Sequence, residues 1–185
     1  MSWDTTPGAD LATAVIPANH QRSFRTQLPN IGNMLTVTGR AYFTYLGLTT
    51  REVALARIAY YITTVADSGT QTAEVGYFST PLAPNRAAQT LTKIAATAAL
   101  GLTSLKSQQT PLAATIPAGT HLWAAFRGAL ATTQPTFRGV GYELLDGQLL
   151  ITSSATALTS GTTYAGILPT DGTSATGIDL AAYMD

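Results

Sequence analysis

Apolar and polar residues alternate over short distances along most of the chain, and glycine or proline cuts the runs. From Met34, "LTVTGRAYFTYLGLTT" is rich in β-branched and aromatic residues and is broken at Gly39 and Gly47, which predicts strand. In "EVALARIAYYITTV" a period of two puts Ile58, Tyr60 and Ile62 on one face and Leu55, Ala59 and Tyr61 on the other. "DSGT" is a turn, "QTAEVGYFST" the next strand, and "PLAPN" a proline-rich loop. The alanines of "QTLTKIAATAALGLTSL" permit a helix, but its threonines, its glycine and its place among strands predict strand. After the turn "IPAG" come "THLWAAFRGAL", "TFRGVGYELL", "GQLLITSS" and "TTYAGIL". Short strands with turn signals between them predict an all-β, antiparallel sandwich or barrel.

The ends read differently. Residues 1–33 hold Pro7, Gly8, Pro17, Pro29 and Gly32 without a sustained period, as an extended N-terminal arm would. Residues 169–185 read as a second arm, apolar again from Ile178 to Met184, leaving one sandwich over 34–168. Phe24, Ile31, Ile178, Leu180 and Tyr183 would then be apolar side chains that need a neighbouring subunit to cover them. Arg22 and Arg25 bracket Phe24 and suit ion pairs with a neighbour's carboxylates, or are solvated charges. Several strands are apolar on both faces, so the outer face of a sheet is expected to be covered as well, by another subunit or by the arms.

Composition sharpens this picture. Charged residues make up only 11% of the 185, against about 25% in an average domain, and formal net charge is zero. A polar but nearly uncharged surface suits a subunit whose neighbours cover much of it. No basic cluster is long enough to follow a phosphate backbone, so no direct nucleic-acid partner is expected. The absence of cysteine removes disulfides, thiolate metal sites and cysteine nucleophiles. No apolar run approaches the ~18 residues of a membrane span, and the N-terminus lacks the basic start of a signal peptide, so a chain made in the cytoplasm is expected.

Candidate chemistry is sparse. His20 and His121 are the two histidines, and neither lies in a metal-binding spacing or beside a GxSxG turn. Glu52, Glu74 and Glu143 in predicted strands, with Asp146 in a turn, are the candidate carboxylates for glycoside hydrolysis, and nothing in the sequence pairs them. They read as solvated or arginine-paired. No enzyme activity, metal or cofactor is therefore expected. In "THLWAAFRGAL", Leu122, Ala124 and Phe126 share the core face, while His121, Trp123 and Arg127 share the other. An outward Trp123 suits an interface anchor or a sugar-stacking plate; a twist or bulge that turns it inward is the alternative.

The order "AYFTYLG", "AEVGYFSTPLAPN", "QTLTK", "PAGTHLWAAFR" resembles small jelly-roll proteins encoded among the virion structural genes of tailed bacteriophages. The resemblance spans about residues 35–150, and "VGYFSTP" and "PAGTHLW" carry most of it. It implies a jelly-roll sandwich and a capsid decoration, or cement, protein on the virion surface. It also implies a homotrimer whose partners are itself and the major capsid protein, with extended termini gripping the shell. Tail and fibre proteins reuse this sandwich, so a module binding host-surface glycan is the alternative.

Overall fold

The structure, a computed structural model, describes residues 23–25, 30–35, 39–65, 71–81, 89–130, 134–142, 149–153, 157–159, 162–164 and 175–184. Thirteen strands account for most of them: β1 (Ser23–Arg25), β2 (Asn30–Leu35), β3 (Arg40–Leu48), β4 (Val53–Thr64), β5 (Gln71–Thr80), β6 (Gln89–Ala98) and β7 (Lys106–Ile116), then β8 (His121–Leu130), β9 (Thr136–Tyr142), β10 (Leu149–Ser153), β11 (Thr162–Tyr164), β12 (Ala175–Ile178) and β13 (Leu180–Tyr183). There is no helix among the described residues. Gln89–Ala98 of the alanine-rich segment forms β6, as its threonines predicted, while 99–105 connects it to β7. β7 is the strand that the sequence pattern hid, because its first five residues are all polar and Pro111 follows them.

Among the described residues all pairings are antiparallel, and the strands form two sheets packed as a β-sandwich. In the first sheet β2 pairs with β9, β9 with the end of β4, and β4 with β7. The second runs β10-β3-β8-β5-β6-β11. From β2 to β9 the chain changes sheet at every step except between β5 and β6. Between the sheets, Phe126 of β8 meets Phe137 of β9 edge-on at 4.6 Å, and within the first sheet Tyr60 of β4 meets Phe137 at 5.8 Å. T-shaped pairs of this kind add to the burial of the rings themselves.

Two irregularities adjust the faces. The register of β4 against β7 shifts between Leu55 and Arg57, so Leu55 lies on the same inner face as Ile58, Tyr60 and Ile62. Strict alternation had placed Leu55 opposite them; the extra residue of the bulge restores it to the core. In β3 the shift between Tyr45 and Gly47 coincides with a glycine at φ 128, a conformation that other residues rarely adopt.

The segment expected to be a C-terminal arm is part of the sandwich. β4 and β9 pair with each other only at Ile62–Phe137 and Thr64–Thr136, and beyond that they diverge. β12 pairs with β9 and β13 with β4, so residues 175–183 fill the fork. The chain changes partner at Asp179, whose N–H bonds the Arg138 carbonyl at 3.0 Å. The Ile178 carbonyl accepts from the Thr44 hydroxyl of the opposite sheet at 2.8 Å. Ile178, Leu180 and Ala182 are fully buried in the chain's own core. The expectation that Ile178 and Leu180 await a neighbour is thereby corrected: a gap between diverging strands must be filled, and this segment has the alternation to fill it. The N-terminal region also supplies strands, β1 on the far side of β13 and β2 on β9.

Leu180→Ala should cost about 2–5 kcal/mol in urea-induced unfolding, as for other large-to-small core changes. Deleting residues 172–185 should abolish the cooperative unfolding transition rather than release a stable sandwich.

Candidate functional site

The second sheet is apolar on its outer face too, and the chain covers that face itself. Ala41, Phe43, Tyr45, Phe78, Leu91, Trp123 and Ala125 form a second cluster there, closed by Leu158. β10 and β11, at opposite ends of the sheet, approach each other. The segment around Leu158 is tied down at both backbone atoms. Its N–H donates to Glu74 Oε2 at 2.9 Å, and its carbonyl accepts from Lys93 Nζ at 3.3 Å. The Glu74 carboxylate also faces the buried Arg127 guanidinium at 3.6 Å. Glu74 is thus arginine-paired, and its carboxylate holds the Leu158 segment in place.

Trp123 lies on the face opposite Leu122, Ala124 and Phe126, as the period of two predicted, but it is 0% exposed. This corrects the expectation of an exposed groove or interface. Its ring packs at 5.1 Å from Tyr45, and its Nε1–H donates to Thr80 Oγ1 at 3.0 Å. With the polar tip satisfied and both ring faces covered, no stacking plate remains.

His121 borders this cluster, part-exposed, and a hydrogen bond of 2.8 Å joins its Nδ1 to the Tyr45 hydroxyl. Burial raises the Tyr45 phenol to about 12 and lowers the His121 imidazole below its usual value. Both are neutral at pH 7. Glu52 is exposed, while His20, Glu143 and Asp146 lie outside the described residues. Among the described residues no group of three or more metal-ligating side chains converges.

Of the remaining predicted contact residues, Arg22 lies outside the described residues. Phe24 and Arg25 belong to β1, opposite Ala182 and Ala181, and Ile31 sits at a register shift in β2. Tyr183 is half-buried and in register with Arg57. Strand pairing brings Phe24, Arg25 and Tyr183 to one side of the first sheet; Ile31 lies farther along it.

The surface feature that the sequence reading missed is the β6–β7 connection. Leu100 and Leu105 are 53% and 55% exposed, the large hydrophobic side chains most open to water among the described residues. Leu102 between them is buried. The backbone there is pinned. Leu100 N–H donates to Thr110 Oγ1 at 2.9 Å, and the Tyr60 hydroxyl bonds the Leu100 carbonyl. Ser104 N–H closes a turn onto the Gly101 carbonyl at 3.0 Å, and Gln108 Nε2 donates to the Leu105 carbonyl at 2.9 Å. Gly101 holds φ 75, a conformation that favours glycine, and a Cβ there would stand 2.4 Å from Gln108 Oε1 and displace that side chain. Lys106 holds φ 77 as well, unusual for a residue with a side chain. The only sequence signal was "LGLTSL", apolar residues clustered about a glycine between two strands.

Comparison of the chain with protein-family models, with curated proteins and with solved structures finds no match.

Trp123→Ala should lower stability by about 3–5 kcal/mol in chemical denaturation, the range for deleting a buried large aromatic. The His121 pKa is lowered on folding, so the unfolded chain takes up the proton first. The stability tied to this group is complete above about pH 6.5 and is lost as pH falls through the lowered folded value. The melting temperature should accordingly fall between pH 7 and pH 5 more steeply in the wild type than in His121→Asn.

Proposed function

We propose that the chain is a non-enzymatic structural protein of a virion, a decoration or cement protein bound to the outer capsid shell as a homotrimer. The observation that carries the reading is strand order. The eight strands β2 to β9 fall into sheets of order β2-β9-β4-β7 and β3-β8-β5-β6, an order that supports reading the sandwich as a jelly roll. The resemblance of "AYFTYLG", "VGYFSTP" and "PAGTHLW" to virion jelly-roll proteins points the same way. The low charge adds support, since a subunit destined for a crowded shell needs little electrostatic solubility. Mechanistically, each copy would bridge neighbouring shell subunits, and many modest contacts held in one lattice resist separation far better than single ones.

A glycan-binding tail or fibre module is the weaker reading. It drew on Trp123 as an open aromatic plate, and that ring lies beneath Leu158 and Tyr45.

The purified chain should sediment with the capsid particles encoded alongside it, saturate at a fixed ratio to the shell subunit, and raise the temperature at which those particles rupture. Protein that stays in the supernatant over capsids but is retained on host-surface glycan would reverse the assignment.

A further inference from the structure

Resting on the assembly reading, we infer that the β6–β7 connection is the docking site for the shell, and that Leu100 and Leu105 enter an apolar recess of a shell subunit with a carboxylate at its rim. Exposed leucines on a loose loop would be unremarkable, because single surface apolar residues are common. Here the loop is fixed at both ends by hydrogen bonds to Thr110, Tyr60 and Gln108, and anchored in the middle by Leu102. A left-handed residue stands at each shoulder, Gly101 and Lys106. Such a loop presents both leucines in one geometry, so little conformational freedom is lost when a partner covers them.

The charge pattern identifies the recess. From residue 94 to residue 120, Lys106 is the sole charged side chain, directly after Leu105 and exposed. A surface carrying two apolar side chains and Lys106, with the Arg57 guanidinium bonded to Gln109 Oε1 at 3.1 Å farther along β7, is complementary to an apolar hollow with an acidic edge. A second copy presenting the same patch would bring lysine against lysine. The patch continues onto β7, which pairs only with β4 among the described residues and exposes Ser107 and Gln109 as a polar rim.

The test compares wild type, Leu100→Ser/Leu105→Ser and Lys106→Glu in sedimentation with capsid particles, with Ala54→Ser, exposed on β4, as the control. The leucine double variant should bind about tenfold more weakly or worse, at an unchanged melting temperature. Lys106→Glu should weaken binding several-fold, most at low salt, and the control should bind as wild type. Because the chain has no cysteine, Leu105→Cys supplies a single thiol whose maleimide labelling should slow on bound particles, while Ala54→Cys labelling stays fast. This second readout keeps the test decisive if the double variant is unstable. Wild type that binds while the leucine variants bind equally well, with labelling at residue 105 unchanged, overturns the docking site and leaves the assembly reading standing. Wild type that fails to bind capsids overturns both.

Discussion

Burial of the second sheet on both faces governs the organisation of this molecule. A single sandwich layer normally offers one face to water and alternates accordingly. Here β3, β5 and β8 send Tyr42, Tyr77 and Phe126 inward and Phe43, Phe78 and Trp123 outward, and both sets are sealed. Sealing the outer set requires the Leu158 segment. That segment in turn requires Glu74 and Lys93 to hold its backbone, and Arg127 stands behind Glu74. The few charged groups on that face are thus committed to closing the fold. With that sheet occupied on both sides, edges and connections are the natural places for contacts with other molecules.

The first sheet solves a different problem. Twisted strands that must also close over a core cannot all stay parallel to their neighbours, and β4 and β9 separate after two paired positions. The chain fills the gap with a late segment that changes partner at Asp179, and uses the carbonyl at that changeover to receive Thr44 from across the core. Packing and hydrogen bonding therefore converge on the same few residues, and the sandwich extends well beyond the limits suggested by local composition.

Much of the fold was legible in the sequence. Period two, turn residues and β-branched content locate most of the strands and assign the faces of β8 correctly. What was not legible is long-range. Two-sided apolar strands announce that a cover exists without saying whose it is, so Trp123 was expected in an interface or an exposed groove and lies under Leu158, some 35 positions along. Prolines and glycines near the ends signalled arms, yet "TGIDLAAY" alternates well enough to serve as strand once a gap awaits it. The bulge at β4 moves Leu55 by one position, which no periodicity reveals. The leucine loop was hidden for another reason: apolar residues in a connection look like the end of a strand until their exposure is known.

Pro111 has a consequence for assembly as a process. It sits at the centre of β7, exposed, in register with Arg57 where the pairing to β4 is already irregular. A weakly charged protein has little electrostatic repulsion to keep open edges apart, and a strand of eleven residues that is an edge among the described residues would be a template for one chain after another. A proline at its midpoint offers no N–H to a newcomer and interrupts the ladder. Copies that meet along this edge are denied the continuous backbone pairing that propagates fibres, which leaves side-chain complementarity to decide where each one comes to rest.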